Sequence, residues 1–350
     1  MTAEIPTLRW GIIATSLISS WFVADLSLDR LNKRANHAIQ AIGSSSSERG
    51  HAFVEKYLPG KAPTVYATYE QVYQDPDVDI VYIGTPSAFH KQNCLDAIRA
   101  GKHVLCEKAF ALNEAEAKAV FAEAQQKGVF VMEAMWTRFF PLVQKLQHLL
   151  HTENVLGDVH RVFCDLAMRM DIASLPSTSR LKNPALGAGS LLDIGIYSLT
   201  WAILGLESRT ESENPRVLAS QNLSDGVDIA TSVILTYPSG KQGIVTSSTM
   251  ARTSPAFCRI EGSKGTIVVE GFVAPMPSFF TVTLQDQEPK RYDFEKPGKG
   301  FYWEADAVAL DISAGKTQSD VMPWKETLRV MGLVDKIRRQ GGARFPQDEE

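Results

Sequence analysis

Short apolar runs alternate with helical patterns over the first 132 residues of the chain. Parallel strands in one sheet have to be joined by long crossovers, which are usually helices. The alternation therefore predicts a doubly wound parallel sheet of Rossmann type. The six runs that we interpret as strands cover residues 8–14, 38–43, 64–66, 79–84, 103–106 and 129–132.

Strand patterns dominate after about Phe140, where this alternation stops. Residues 230–237 alternate apolar and polar side chains, as in an antiparallel strand with one exposed face. Because 350 residues exceed what one hydrophobic core usually supports, we expect two domains. The predicted fold class is α/β, with a Rossmann domain over residues 1–138 and an α+β domain over residues 139–350 that contains a large, open, mostly antiparallel sheet.

Composition and charge exclude several classes of protein. Hydrophobic residues make up 44% of the chain and charged residues 22%, which is typical of globular proteins. The net charge is −4 and no basic stripe is present, so nucleic acid is not expected as a partner. No apolar run reaches membrane-spanning length, and the N-terminus lacks a signal-peptide core. The four cysteines are isolated and no metal-ligand spacing occurs, so we expect a cytoplasmic protein with reduced thiols and no metal.

A lysine follows the fifth predicted strand, in Val104-Leu105-Cys106-Glu107-Lys108. Ligands of open parallel sheets bind outside the carboxyl ends of the strands, so Glu107 and Lys108 are expected at the edge of a cofactor cleft. A lysine desolvated in such a cleft titrates easily, which suits proton transfer. For the Glu-Lys pair alone, a surface lysine in a strand-to-helix loop is the alternative interpretation. The surrounding alternation favours the functional one.

The turn after the first predicted strand lacks the glycines of a dinucleotide-binding fingerprint. The glycine positions of G-x-G-x-x-G carry Ala14, Ser16 and Ser19, so this segment alone would not predict a dinucleotide. Small side chains keep the turn feasible, and the hydroxyls of Thr15 and Ser16 could donate to a phosphate. A left-handed backbone at Ser16 would cost about 1 kcal/mol more than at glycine, so either the Ser16 backbone is strained or the turn is re-shaped. The first helix is expected to begin near Ile18.

The end of the second predicted strand indicates which dinucleotide is bound. NAD enzymes usually place an acid there for the ribose hydroxyl. This chain has four serines and then an arginine, and Ser44, Ser45 and Arg49 suit a 2′-phosphate, because arginine forks onto phosphate oxygens. The predicted cofactor is therefore NADP. A serine-rich loop that caps the next helix is the alternative.

Five longer motifs resemble the Gfo/Idh/MocA oxidoreductases, and within them the group of dihydrodiol and NADP-dependent D-xylose dehydrogenases. The motifs lie at residues 79–86, 100–109, 132–139, 189–197 and 261–266, so the resemblance covers nearly the whole chain. Ala109 stands where the wider family usually has proline, and Tyr197 where it usually has histidine. Both departures are shared with that group. The missing glycines of the phosphate turn are the main departure from the family pattern.

The resemblance implies catalytic roles for Lys108, Asp193 and Tyr197. Oxidation of an alcohol needs a base for the hydroxyl proton. A phenol is a poor base at neutral pH, but a neighbouring ammonium group favours phenolate, so Tyr197 and Lys108 form a plausible couple. Asp193 is four residues before Tyr197, shares a helix face with it and would orient the substrate hydroxyl or the lysine. Asp193 as a helix cap and Tyr197 as a core tyrosine are the alternatives.

Other residues are expected around the cofactor and the substrate. Thr85, Pro86 and His90 follow the fourth predicted strand and should border the nicotinamide. Trp136 and Arg138 follow the sixth and should wall the cleft. A packing or capping role is the alternative for His90, and a core position is the alternative for Trp136.

The resemblance implies an NADP-dependent dehydrogenase that moves hydride between a sugar or diol hydroxyl and the nicotinamide. The expected substrates are a D-xylose-like aldose at C1 or a trans-dihydrodiol. The resemblance also implies a homodimer through the C-terminal sheet. Two alternatives stay open, a non-catalytic NADP-binding regulator and a sugar oxidoreductase with a tightly bound cofactor. Lys108, Asp193 and Tyr197 favour catalysis, while the missing glycines favour the regulator.

Overall fold

The computed structural model describes residues 5–208 and 213–349, and it divides into two packing units. The first unit joins the chain up to Phe139 with Lys296–Leu328, and the second joins Phe140–Glu295 with the chain from Arg329 onward. The division into domains at residue 138 stays a prediction. The packing adds that a late segment, Lys296–Leu328, belongs with the first unit.

The first unit contains a six-stranded parallel sheet with the order β3-β2-β1-β4-β5-β6. All neighbouring strands in it run parallel, which confirms the Rossmann-type sheet. The sixth strand begins two residues later than residues 129–132 predict. The strands are β1 Thr7–Ile13, β2 Asn36–Gly43, β3 Thr64–Tyr66, β4 Ile80–Ile83, β5 His103–Glu107 and β6 Val131–Ala134.

Side-chain caps fix where several helices of this unit begin. Ser16, Ser46 and Asn113 each accept a hydrogen bond from the backbone N–H three residues later. Glu116 in turn accepts from Leu112 N at 3.0 Å. The helices are α1 Leu17–Leu26, α2 Ser47–Tyr57, α3 Tyr69–Gln74, α4 His90–Arg99 and α5 Glu114–Lys127, and the late segment adds α8 Phe301–Ser313.

Buried polar contacts hold the late segment Lys296–Leu328 within the first unit. The carboxylate of Asp25, near the end of α1, accepts the backbone N–H groups of Lys299, Gly300 and Phe301. These are the groups at the start of α8, which would otherwise lack acceptors. The carboxylate of Asp306 on α8 forms a buried ion pair with Arg30 at 2.9 Å.

The second unit contains an eight-stranded sheet with the order β14-β13-β12-β11-β7-β10-β9-β8. Every neighbouring pair is antiparallel except β7 and β10, so the predicted large, mostly antiparallel sheet is confirmed. The strands are β7 Val159–Ala167, β8 Arg216–Ser224, β9 Val227–Thr236, β10 Gln242–Ser248, β11 Ala256–Gly262, β12 Gly265–Val273, β13 Met276–Leu284 and β14 Lys290–Asp293. The helices are α6 Pro141–His151 and α7 Ile196–Leu206, and α9 Trp324–Gly341 begins in the first unit and ends in the second.

One segment, Pro184–Leu206, is long and apolar enough to cross a membrane. The prediction that no run reaches that length is therefore wrong for this segment. Its apolar window is 94% buried, as in the core helix of a soluble protein, and α7 packs against the sheet strands β7 and β10. The buried core helix of a soluble protein also meets these criteria of length and composition. The four cysteines are free and buried.

Candidate active site

The phosphate turn between β1 and α1 forms without glycine. Ala14 takes up the left-handed conformation with φ 77°, and its N–H donates to Gly43 O at 3.1 Å. Ser16 has an ordinary extended backbone, φ −80° and ψ 170°, and serves as the N-cap of α1. Of the two possibilities for Ser16, a strained backbone or a re-shaped turn, the structure has the re-shaped turn. The capping bond from Ser19 N to Ser16 Oγ, at 3.2 Å, requires the extended form, so the reversal of the chain falls two residues earlier.

Serine hydroxyls occupy the space beneath this turn. Ser16 Oγ and Ser19 Oγ are 2.9 Å apart, and they lie against Gly84, which follows β4. A β-carbon at Gly84 would overlap Ser19 Oγ. The close approach that a fingerprint glycine normally allows on the turn is therefore provided by a glycine at the end of the neighbouring strand.

The serine-rich loop after β2 lies beside the phosphate turn. Ser44 is 1% exposed, and its hydroxyl is 3.5 Å from Thr15 Oγ1. Ser45 and Arg49 are exposed, with Arg49 Nη1 donating to Ser45 Oγ at 3.4 Å. Ser46 caps α2, so the capping interpretation holds for that serine. Ser45 and Arg49 remain accessible to an anion.

Glu107 and Lys108 lie at the carboxyl end of β5, as expected from the sheet. Glu107 is 3% exposed, and its Oε1 accepts from Tyr82 OH at 2.6 Å, while Oε2 accepts from Lys108 N at 3.2 Å. The peptide bond between Lys108 and Ala109 is cis. The backbone N–H of Lys108 is thus hydrogen-bonded to a buried carboxylate.

His90, at the start of α4, also holds the segment after Lys108. It is 1% exposed, with Nδ1 2.9 Å from Ala109 O and Nε2 2.8 Å from Thr85 O. Burial lowers the pKa of His90 to about 4, although both carbonyl contacts raise it. Because burial has the larger effect on the pKa, the ring is neutral at pH 7 and donates to one carbonyl at a time. Both ring nitrogens therefore face backbone oxygens, and the expected role of His90 at the nicotinamide stays a prediction, as do those of Thr85 and Pro86.

Glu133, on β6, is a further group at this edge that the sequence reasoning missed. It is 1% exposed, its Oε1 accepts from Phe110 N at 3.2 Å, and its Oε2 accepts from Thr327 Oγ1 at 2.9 Å. Burial raises the pKa of Glu133 to about 7, against the opposing effect of these donors and Arg138. An acid inside an otherwise apolar strand, Val131–Ala134, is the signal that could have identified it.

Trp136 and Arg138 are buried inside the first unit, at 2% and 6% exposure. The Trp136 ring stacks on Phe301 with centroids 4.1 Å apart, as in the core interpretation. Arg138 Nη2 donates to Glu326 at 2.5 Å. Their expected role as walls of the cleft stays a prediction.

In the second unit, Asp193 lies in a π-helical turn, Leu191–Gly195, that leads into α7. The Asp193 side chain is 21% exposed and accepts from Arg180 Nη1 at 3.2 Å, while Tyr197 is 4% exposed. The N–H of Leu191, at the start of this turn, donates to Asp228, and a capping role stays the alternative for Asp193. Such single π-turns are frequent at functional sites.

A small cavity of about 10 Å³ lies beside Asp193, enough for a single water molecule. Its lining is mostly apolar, with three polar side chains besides Asp193. The lining includes Gly189, Ser190, Asp193 and Asp228. Among residues 5–208 and 213–349, no group of three or more histidine, cysteine or acidic side chains could hold a metal ion.

Two family models match most of the chain. Residues 8–135 match an oxidoreductase family with an NAD-binding Rossmann fold, and residues 143–268 match the GFO/IDH/MocA C-terminal domain. The chain belongs to the Gfo/Idh/MocA oxidoreductases. The resemblance inferred from the five motifs is therefore confirmed, and this Gfo/Idh/MocA protein is an oxidoreductase whose first 139 residues carry the dinucleotide-binding sheet.

Curated relatives match this Gfo/Idh/MocA protein over nearly its full length. The D-xylose 1-dehydrogenase (NADP(+)) of Hypocrea jecorina is 35% identical over 368 aligned positions, which cover 97% of this chain and 94% of the relative. The trans-1,2-dihydrobenzene-1,2-diol dehydrogenase of Bos taurus is 33% identical and covers 98% of this chain and 99% of its own.

Solved structures with the same fold include two sugar enzymes. A levoglucosan dehydrogenase in complex with NADH and levoglucosan superposes with a TM-score of 0.83 at 19% identity, covering 96% of this chain and 97% of its own. The aldose-aldose oxidoreductase from Caulobacter crescentus gives 0.81 at 24% identity, covering 96% and 98%. At these identities the likeness shows the fold alone.

Proposed function

We propose that this oxidoreductase is an NADP-dependent dehydrogenase of a sugar or diol hydroxyl. The observation that carries the proposal is the fixed placement of Lys108 at the carboxyl end of β5, where Glu107, His90 and Glu133 tie the backbone on both sides of it. A proton-transferring side chain is useful only if it is held in place. The names of the Hypocrea jecorina and Bos taurus relatives support the substrate class.

The residues around the phosphate turn fit a dinucleotide. The N-terminus of α1 faces the turn, and a helix N-terminus favours phosphate. Small side chains at Ala14, Thr15 and Ser16 leave room for close approach, and Ile18 lies in the first turn of α1. When bound, the nicotinamide supplies the hydride acceptor or donor. Exposed Ser45 and Arg49, with Ser44 behind them, would hold a 2′-phosphate, which favours NADP over NAD.

The proton that leaves the substrate hydroxyl is assigned to Tyr197, and Lys108 is the second residue of the proton transfer. Asp193 would orient the hydroxyl, and its partial exposure leaves the carboxylate reachable. The structure describes Lys108 in the first unit and Tyr197 and Asp193 in the second. Their joint action is therefore tested by the kcat of single and double variants.

The favoured substrates are a D-xylose-like aldose, oxidised at C1, and a trans-dihydrodiol. The regulator alternative rests on the missing glycines. The structure weakens that argument, because Ala14 and Gly84 provide the turn and the close approach instead. The alternative with a tightly bound cofactor keeps the same catalytic residues and differs in cofactor release.

We also infer a cytoplasmic homodimer that forms through the outer face of the C-terminal sheet. An apolar row crosses four adjacent strands of this face, because Leu218 pairs with Ile234, Ile234 with Ile244, and Ile244 with Phe163. Leu218 and Ile234 are 48% and 41% exposed. A continuous apolar row of this kind suits the same row of a second copy across a two-fold axis.

The test is formation of NADPH from NADP⁺ with a panel of aldoses and trans-diols, and the reverse reaction with dicarbonyls. Wild type should turn over at least one class, while Lys108→Met should bind NADP and turn over that class about 10²–10⁴-fold more slowly. Binding without turnover in wild type would support the regulator. Turnover between two sugars without any free NADPH would support the tightly bound cofactor.

A further inference from the structure

Asp228 lies at the start of β9 and is 2% exposed. Its Oδ2 accepts three hydrogen bonds, from Ser190 Oγ at 2.8 Å, Leu191 N at 2.8 Å and Thr231 Oγ1 at 2.9 Å. Two of the three donors belong to the turn that carries Asp193. A buried carboxylate needs such donors, and the start of a helical turn needs an acceptor, so each fixes the other.

The backbone at both ends of the turn is fitted closely to this carboxylate and the sheet. Gly189 has φ 143°, which other residues rarely adopt, and a β-carbon there would overlap Asp228 Oδ1. A β-carbon at Gly195 would lie 2.8 Å from Ser247 Oγ, closer than real side chains approach. Ser247 pairs with Thr231 in the sheet. The turn thus packs closely against β9 and β10, and Asp228 binds the N–H at its start.

Asp228 itself has no access to a substrate. It lines the same small cavity as Asp193, but its bonded oxygen points into the turn, whereas the Asp193 side chain is 21% exposed. Burial raises the pKa of Asp228, and the donors from Ser190, Leu191 and Thr231 lower it. The contacts describe a group that holds other residues in place.

We infer that Asp228 is a positioning residue of the reaction, which sets the placement of Asp193 and, through the same turn, of Tyr197 at the start of α7. The inference rests on the proposed function, because the placement matters only if those two residues serve the proton transfer. It predicts a loss in kcat and not in NADP affinity, since the residues assigned to the cofactor lie in the first unit.

The test compares two substitutions of Asp228 with a control in the same sheet. Asp228→Ala removes the acceptor of the turn, and Asp228→Asn keeps one acceptor oxygen of the same size. Asp165→Ala is the control, because Asp165 on β7 also accepts hydroxyl hydrogen bonds, from Thr246 on β10 at 2.6 Å and from Thr253 in the following loop, but none from the turn. Each variant is checked for thermal stability and for NADPH binding by fluorescence titration.

We expect Asp228→Ala to lower kcat by about 100-fold, because small displacements of reacting groups cost that much. NADPH affinity should stay unchanged, because the residues assigned to the cofactor lie in the first unit. Asp228→Asn should regain most of the loss, and Asp165→Ala should keep wild-type kcat. The pH profile of kcat should also shift in Asp228→Ala, which a merely structural role would not cause.

The inference is overturned if Asp228→Ala keeps the wild-type kcat, calculated per enzyme molecule that binds NADPH. It is also overturned if Asp165→Ala lowers kcat as much as Asp228→Ala does. If Asp228→Ala does not fold, Ser190→Ala replaces it, because it removes one donor of the turn. It should lower kcat by about tenfold, and an unchanged kcat counts against the inference. Either negative result in an active enzyme leaves the proposed function standing. A wild type that turns over no sugar, diol or dicarbonyl overturns both.

Discussion

At the scale of single residues, Ala14 carries the strain of the phosphate turn. An L side chain at φ 77° costs about 1 kcal/mol more than glycine. We therefore expect Ala14→Gly to stabilise the protein by about 1 kcal/mol. NADP should bind as well as it does to wild type, or more tightly. Ser16→Gly is the matched control, because Ser16 is an N-cap in an extended conformation, where glycine costs only a few tenths of a kcal/mol. Urea unfolding measures both. A Ser16→Gly variant more stable than Ala14→Gly would contradict the geometry.

We expect Arg49 to favour NADP over NAD. Its guanidinium is exposed beside Ser45, and an arginine can donate two hydrogen bonds to a 2′-phosphate. Arg49→Ala should weaken NADP binding by about 1.5–3 kcal/mol, the range for hydrogen bonds to charged groups. NAD binding should hardly change, which makes NAD titration into both proteins the control. Equal NADP affinity of Arg49→Ala and wild type would remove Arg49 from the site.

At the scale of elements, Glu133 joins β6 to the segment after Lys108 and to the first turn of α9. Its pKa is raised to about 7 in the folded protein, above the usual carboxylate value. A raised carboxyl pKa contributes stability at low pH that is lost as the pH rises through about 7. Each unit of pKa difference is worth about 1.4 kcal/mol.

Glu133→Gln should therefore flatten the pH dependence of stability. Glutamine keeps an acceptor for Phe110 N and offers a donor to Thr327 Oγ1, so the local contacts survive. Unfolding free energies of the two proteins should diverge between pH 5 and pH 8, with the variant relatively more stable at the higher value. Parallel curves would show that Glu133 does not titrate in this range.

Elements with strong periodicity were predictable, and those fixed by tertiary contacts were not. The buried strand Ile80–Ile83 is a continuous apolar run, which is typical of a covered parallel strand. Strand β8, Arg216–Ser224, is hard to recognise from the sequence, because it is an edge strand with mostly exposed residues. The packing of Lys296–Leu328 in the first unit depends on contacts of Asp25 and Asp306. No local sequence pattern predicts such long-range contacts.

The site followed the same division. The position of Lys108 at the carboxyl end of β5 follows from the strand order. The left-handed conformation at Ala14 does not, because the sequence window does not show which residue caps the helix. Asp228 and Glu133 were missed, since their roles arise from hydrogen bonds to backbone 23 and 37 residues away in the chain.

At the scale of the whole molecule, the outer face of the C-terminal sheet should hold two copies together. Ile234→Asp places a charge in the middle of the apolar row and should convert the dimer to monomers. Thr236→Asp, two residues along the same strand, is the control outside the row. Light scattering with size-exclusion chromatography measures the mass. A monomeric wild type, or an Ile234→Asp variant that stays dimeric, would contradict the assignment of this face.

We propose that Lys108 and Tyr197 act as one proton-transferring unit, and kcat is measured for Lys108→Met, Tyr197→Phe and the double variant. Each single substitution should lower kcat by about 10²–10⁴-fold while NADP still binds. The double variant should be little worse than the poorer single one, because residues that act together are not additive. Tyr292→Phe, on the edge strand β14, should match wild type. A Tyr197→Phe enzyme with near-normal kcat, or fully additive losses in the double variant, would contradict the claim.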